Sequence, residues 1–279
     1  MKLSRNEFIE WEHKAVTLLG MSGVGKTTLA SCLPRNRWFH YSGDYRIGTK
    51  YLHEPILDEM KREAMDVPYL RHLLRSDAMY IAPNVSTHNL TAVSGYLGKV
   101  GDAGRGGLSV EEFKRRQRKH REAEIGAMRD VPEFILKARE IYGYEHFIND
   151  AGGSVCELDD VETVETLAEH TVIIYLHAGH ELERSLVERA LDDPKPLYYR
   201  EDFFDANLET YLRSEGLSNV RDIDPDGFVQ WMFPRLTAHR TPLYQELAGE
   251  YGYTVNARDA EHVRTESEFI DLIANTLVT

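Results

Sequence analysis

The sequence has few cysteines, no long apolar run and fewer basic than acidic residues. Only Cys32 and Cys156 occur among its 279 residues. This argues against the disulfide framework of small secreted domains and favours two free thiols in a reducing compartment, although one disulfide between them stays open. No apolar run approaches the thickness of a bilayer, and the first residues lack the apolar core of a signal peptide. We therefore expect a cytoplasmic protein without a membrane partner.

Basic residues are outnumbered, with 33 Lys and Arg against 46 Asp and Glu, which gives a formal net charge of −13. This balance argues against a nucleic acid or an anionic membrane surface as the general partner. It leaves room for a local basic site that binds a small anion. The hydrophobic content of 42% is ordinary for a globular protein that buries a sizeable core, and we expect one domain over residues 1–279.

A glycine-rich motif, Gly20-x-x-x-x-Gly25-Lys26-Thr27, follows an apolar run and precedes a helix-compatible segment. This is the pattern of the phosphate-binding loop, whose backbone N–H groups surround a polyphosphate. Lys26 supplies a cation for the β- and γ-phosphates, and the Thr27 hydroxyl is a candidate Mg²⁺ ligand. We predict that the chain binds ATP and Mg²⁺ through Gly20, Met21, Ser22, Gly23, Val24, Gly25, Lys26, Thr27 and Thr28.

Five short apolar segments alternate with helical patterns. This alternation predicts an α/β protein with a parallel sheet of about five strands and helices on both faces, the P-loop NTPase fold. The segments that predict strands are Ala15–Leu19, 37–41, 146–149, 171–176 and 253–256.

Two regions stand apart from this alternation. Residues 47–144 contain no confident strand and predict an inserted helical subdomain that binds the acceptor. Within them, the glycine-rich stretch 84–107 is either a loop that covers the substrate or a floppy insertion. Residues 192–240 begin with a proline-stiffened connection and are expected to form a lid over the nucleotide.

Charged residues and glycines follow the second and third predicted strands. Asp44 and Arg46 come after the second, and Asp150, Gly152 and Gly153 come after the third. Open α/β sheets bind ligands at the carboxyl ends of their strands. We therefore expect Asp44 and Arg46 to contact an acceptor beside the phosphates, and Asp150 to contribute to the Mg²⁺ site.

A basic run, 114–121, lies on a long helix that the capping pattern Ser109-x-x-Glu112 opens. Three interpretations are open: an RNA contact, a solvated helix face, or one or two arginines that point at an anionic substrate. The third interpretation fits the other motifs best. Farther along, residues 228–239 predict a helix, and a second helix is expected to begin at Arg240, with Pro242 in its first turn.

The order of these segments resembles the shikimate kinase family of small P-loop kinases. The phosphate-binding loop matches, and Arg240-x-Pro-Leu-Tyr-x-Glu-Leu-Ala is similar to the family's Arg-x-Pro-Leu-Tyr-x-Glu-x-Ala. Residues 42–44 stand where the family has an Asp-x-Asp pair, and 150–154 stand where it has three glycines. The stretch 194–197 resembles the family's lid, with Lys195 where an arginine normally precedes Pro-Leu.

The resemblance implies roles for individual residues. Asp44 would orient or deprotonate the acceptor hydroxyl, and Gly152 and Gly153 would line the acceptor pocket. Arg240 would pair with an acceptor anion, and Arg121 resembles the family's substrate arginine.

Together these features predict an ATP-dependent kinase that transfers the γ-phosphoryl group to a hydroxyl, or a phosphate, of a small and anionic acceptor. Lys26, Asp44 and Lys195 are the expected catalytic residues. Two alternatives remain: a P-loop ATPase that couples hydrolysis to a conformational change or to partner binding, and a nucleoside or nucleotide kinase.

Overall fold

A computed structural model, which describes residues 1–277, contains one sheet of five parallel strands in the order β2-β3-β1-β4-β5. The sheet confirms the predicted α/β fold, and each predicted strand is found within one residue of its expected ends. The strands are β1 (Ala15–Leu19), β2 (Trp38–Ser42), β3 (His146–Asp150), β4 (Val172–His177) and β5 (Gly252–Asn256).

The central strand, β1, is buried on both faces, as expected for a parallel sheet covered by helices. Its alternate residues belong to two different apolar clusters. Val16 and Leu18 pack on one side of the sheet, and Ala15 and Leu19 pack on the other.

Helices cover both faces of this sheet. The α-helices within residues 1–277 are α1 (Arg5–Glu10), α2 (Lys26–Ser31), α3 (Gly43–Arg46), α4 (His53–Asp66), α5 (Pro68–Arg75), α6 (Thr91–Leu97), α7 (Val110–Arg129), α8 (Val131–Glu140), α9 (Val161–His170), α10 (Gly179–Asp192), α11 (Glu201–Ser214), α12 (Pro225–Tyr251), α13 (Ala257–Ala260) and α14 (Glu266–Thr276). Across this described part of the chain, every helix is too short or too polar to span a bilayer. Cys32 and Cys156 are free thiols.

The glycine-rich stretch 84–107 is more ordered than a loop, because it contains α6 and a 3₁₀ turn at Ala103–Arg105. Val100 at its end packs with Phe113 of α7 and with Phe204 and Phe228 of α11 and α12. The predicted insertion, 47–144, therefore shares a third apolar cluster with the region that the sequence suggested as a lid, 192–240.

One helix, α12, replaces the two that the sequence predicted from 228 onward. Pro234 and Pro242 lie inside it, although each removes a backbone hydrogen bond. Threonines add side-chain hydrogen bonds nearby: Thr237 Oγ1 donates to Phe233 O, and Thr241 Oγ1 donates to Thr237 O. The predicted break was wrong because packing along the whole helix outweighs the local effect of proline.

The basic run on α7 is largely paired with acidic residues. Ser109 caps the helix by accepting from Glu112 N, while the Glu112 carboxylate pairs with Arg116 of the next turn. Lys114 and Arg118 pair with acidic residues of α11. Most of the positive charge is thus neutralised within the fold, which favours a structural role over an RNA contact.

We predict that Phe269→Ala destabilises the protein by about 3–5 kcal/mol, because it removes a fully buried ring and leaves a cavity. The ring packs edge-on against Trp38, with 5.5 Å between their centroids. Urea unfolding measures the change. The control, Leu136→Ala, alters an exposed side chain and should change the free energy of unfolding by less than about 0.5 kcal/mol. Equal losses in the two variants would contradict this account of the core.

Candidate active site

The parallel register brings three strand ends to one edge of the sheet. Asp150 of β3 lies opposite Leu18 of β1 on one side and opposite Ser42 of β2 on the other. The phosphate-binding loop continues from β1, and Asp44 lies in α3 directly after β2. The loop and the two carboxylates therefore share this edge, as the sequence predicted.

The loop after β1 is held in a conformation that requires glycine. Gly20 has a φ of 141°, and a Cβ there would lie 2.9 Å from Leu176 O. Lys26 Nζ is buried and donates to Gly20 O at 2.7 Å and to Met21 O at 3.1 Å. These hydrogen bonds close the loop around the Lys26 ammonium group. A bound polyphosphate would neutralise the charge of this group.

The Thr27 hydroxyl donates to Asp150 Oδ2 at 2.5 Å. Within residues 1–277, no group of three or more His, Cys, Asp or Glu side chains is arranged to hold a metal ion. Mg²⁺ usually takes one or two protein oxygens and completes its shell with water and substrate phosphates. The adjoining hydroxyl and carboxylate oxygens fit that requirement, so the expected Mg²⁺ ligands lie together.

Asp44 lies in an acidic and poorly solvated environment. Burial raises its pKa to about 6, and the neighbouring carboxylates of Glu124 and Asp150 add to the effect. Glu124 of α7 is fully buried; it accepts from Ser154 N at 3.3 Å and from the Ser154 hydroxyl. Gly152 separates the two carboxylates, since a Cβ there would overlap Glu124 Oε1 and lie 3.4 Å from Asp44 Oδ1.

Asp44 and Ser154 line a cavity of about 540 Å³, whereas Gly152, which was expected to line it, lies behind it. The backbone of Gly153 lies directly against the phosphate-binding loop, because a Cβ on it would lie 3.0 Å from Ser22 N. The cavity is lined by Ser22, Asp44, Thr87, His88, Asn89, Leu90, Thr91, Val93, Ser94, Leu97, His120, Gly153, Ser154, Lys195, Pro196, Leu197, Tyr198 and Arg240.

The expected substrate arginines are distributed differently from the prediction. Arg240 lines the cavity, but its guanidinium donates to Glu157 Oε2 at 2.7 Å and also to the carbonyls of Gly153 and Tyr198. Arg46 points away from the cavity and donates to an Asp130 carboxylate oxygen at 2.7 Å. Asp44 is brought to the site and Arg46 is not, because successive residues of α3 point in different directions.

Two further expected residues lie at the edge of the site or outside it. Arg121 lines a separate cavity of about 270 Å³ and donates to Asp159 O at 3.2 Å. Lys195 is at the rim of the main cavity, where its side chain is 71% exposed and lies 3.1 Å from Asp193 Oδ2.

His120, Glu124 and Glu157 contribute to the site or support it, but were not predicted from the sequence as site residues. His120 was counted in the basic run 114–121, and Glu124 lies three residues beyond it. A signal was present, because their spacing of four residues places them on one face of α7 together with Phe113 and Ala127, which are apolar. Polar residues that interrupt an apolar helix face are candidates for a buried site.

A scan against protein-family models finds no match, and a search of curated proteins finds none either. Among solved structures, the chain is similar to a shikimate kinase from Acinetobacter baumannii in complex with shikimate. The two share 15% identity with a TM-score of 0.39, over 92% of this chain and 93% of that one. At this level of similarity, nothing about that enzyme's activity transfers to this chain.

We predict that Asp44→Asn is more stable than the parent at pH 7.5, by up to about 3 kcal/mol, because the folded state keeps Asp44 ionised at a cost. Its pKa rises from 3.8 to about 6 on folding, so between these values the folded state binds more protons than the unfolded state. Asp44 therefore lowers the parent's stability as the pH rises through this range. Urea unfolding at several pH values measures the difference between the proteins. A difference that does not shrink below pH 4 would contradict the assignment.

We predict that Arg240→Met destabilises the fold by about 3–5 kcal/mol, because it leaves the fully buried Glu157 without its ion-pair partner. The double variant Arg240→Met/Glu157→Gln should recover at least half of this loss. Arg258→Met, which removes an exposed ion pair with Glu181, is the matched control and should cost less than about 1 kcal/mol. Thermal or urea unfolding measures the stability of all three variants. No recovery of stability in the double variant would contradict the pairing of Arg240 with Glu157.

Proposed function

We propose that this chain is an ATP-dependent kinase that transfers the γ-phosphoryl group to a hydroxyl group of a small molecule. One observation supports this above all: Asp44 and Ser22 of the phosphate-binding loop line the same cavity. An acceptor in that cavity would lie between a carboxylate and the end of a bound triphosphate. The cavity of about 540 Å³ suits a small metabolite.

Each group of the loop has a defined task in this proposal. Free backbone N–H groups of the loop and Lys26 Nζ hold the β- and γ-phosphates, and Lys26 exchanges its two carbonyl partners for phosphate oxygens. Thr27 and Asp150 would hold Mg²⁺, which supplies charge neutralisation to the phosphates when bound. Phosphoryl transfer depends mainly on such positioning and electrostatic stabilisation.

Asp44 handles the proton of the acceptor. The hydroxyl oxygen forms a bond to the γ-phosphorus, the bond from that phosphorus to the β–γ bridging oxygen breaks, and the hydroxyl proton passes to the Asp44 carboxylate. A pKa of about 6 leaves this group ionised at neutral pH yet more basic than an ordinary aspartate.

Lys195 is suited to the phosphate side of the cavity. It lines both the acceptor cavity and a neighbouring cavity of about 350 Å³ that also contacts Ser22 and Gly23. Its ammonium group pairs with the exposed Asp193 and would exchange this weak surface ion pair for the phosphates, where it would exclude water.

We predict that the protein, incubated with γ-labelled ATP and a total metabolite extract, places label on an organic compound. Asp44→Asn should slow this transfer by a factor of about 10²–10⁴ because the proton acceptor is lost, while the Kd for ATP stays within about twofold of the parent. Lys26→Ala should reduce transfer at least about 10²-fold because the phosphates lose a cation.

Asp226→Asn is the control for the carboxylate change, since this exposed residue pairs with Lys99 outside the cavity; it should transfer at the parent rate. Label that appears only as free phosphate would replace the kinase proposal with an ATPase. Unchanged transfer by Asp44→Asn would remove Asp44 from the mechanism.

A further inference from the structure

The charge of the acceptor can be inferred from the cations near the cavity. Lys195 and Arg240 are the Lys and Arg side chains that line it within residues 1–277. Arg240 is 3% exposed and uses its guanidinium on Glu157 and two carbonyls. Lys195 is at the rim, where the proposed function assigns it to the nucleotide phosphates. The inner part of the cavity therefore has no spare cation for a carboxylate or phosphate of the acceptor.

The inner wall is instead negatively charged. Asp44 faces the cavity and Glu124 lies behind it, separated from Asp44 by Gly152. The Asp44 carboxylate, in a poorly solvated place, would repel an anionic group on the acceptor. From the sequence, the arginines suggested an anionic acceptor. We replace that expectation here, because those arginines are paired inside the fold or lie outside the cavity.

The rest of the lining suits a molecule with several hydroxyl groups. Uncharged side chains that donate and accept hydrogen bonds are contributed by Ser22, Thr87, Asn89 and Thr91. The hydroxyls of Ser94 and Ser154 already donate within the fold and can accept from a ligand. Apolar side chains from α6 and from the connection before α11 complete the wall, namely Val93, Leu97, Pro196 and Leu197. Hydroxyl groups match the first set, and the C–H faces of a carbon ring or chain match the second.

His120 provides a specific contact for such a molecule. Its side chain lines the cavity, is 9% exposed and stacks on Tyr198 with 5.6 Å between ring centroids. Its Nδ1 is buried without a hydrogen-bond partner in the described structure and lies 3.9 Å from Glu124 Oε2, beyond hydrogen-bonding range. Buried polar groups without partners are rare and costly, so His120 lines the cavity with hydrogen-bonding capacity that the fold leaves unused.

The imidazole is neutral at physiological pH, because burial lowers the pKa of His120 to about 4. A neutral imidazole has one N–H donor and one nitrogen acceptor. A hydroxyl group can complement either nitrogen in either tautomer, whereas a carboxylate can only accept.

We propose that the acceptor is an uncharged polyol of the sugar or cyclitol class. Its reactive hydroxyl is held by Asp44, and a neighbouring hydroxyl is bound by the His120 ring. This inference rests on the proposed kinase function, which defines the part that Asp44 takes.

The first test separates a metabolite extract at pH 7 into neutral, anionic and cationic fractions by ion exchange and supplies each fraction with γ-labelled ATP. Label on a compound from the neutral fraction is the expected result. Label only on compounds from a charged fraction would overturn the polyol proposal and leave the kinase proposal standing. Label on no organic compound from any fraction would overturn both.

The second test uses His120 variants with the acceptor that the first test isolates. His120→Phe keeps the stacking on Tyr198 but cannot form a hydrogen bond, so the KM for the acceptor should rise about tenfold while the KM for ATP changes less than twofold. His120→Asn and His120→Gln place an amide near Nδ1 and Nε2 respectively, and one of them should restore the acceptor KM to within about threefold of the parent.

A merely structural role for His120 would give a different pattern. His120→Phe would then raise both KM values together or lower the melting temperature, and neither amide would restore acceptor binding selectively. An unchanged acceptor KM in His120→Phe would also overturn the assignment of His120.

Discussion

The register of three neighbouring parallel strands determines where the charged groups of the site meet. Asp150 lies opposite Leu18 and Ser42, so β1, β3 and β2 end at the same level. The phosphate-binding loop and α3 begin from these ends. A shift of one residue in this pairing would reverse which side chains face the core and would separate Asp44 from the loop. The buried apolar residues of β1 and β3 hold the register and thereby hold the site.

The electrostatics of the site follow from this convergence. Lys26 is a buried ammonium whose pKa is lowered by burial, although the charges of Asp150, Asp44 and Glu124 oppose that effect. Such an arrangement is costly without a ligand, since buried charges lose their hydration. Strongly perturbed ionisable groups in one cleft are typical of functional sites, which agrees with the kinase proposal.

Local pattern was sufficient for the strands and for the glycine turn between β1 and α2, because apolar runs and glycine spacing are read within a few residues. It was insufficient where distant packing decides the outcome. Pro242 was expected in the first turn of a separate helix, yet it lies inside α12. Arg240 resembled a free anion-binding residue, but its partner Glu157 is 83 residues away. His120 was grouped with the basic run 114–121, and the packing of α7 shows that the face it shares with Glu124 is buried.

The most direct test is a crystal structure with Mg²⁺ and a non-hydrolysable ATP analogue. We expect the analogue's phosphates to bind the loop at residues 20–28, with the γ-phosphorus about 6 Å from the Asp44 carboxylate. That separation leaves room for an acceptor oxygen about 3 Å from each. A γ-phosphate directed away from the cavity that Asp44 lines, or phosphates bound elsewhere than at the loop, would contradict the proposed phosphoryl transfer.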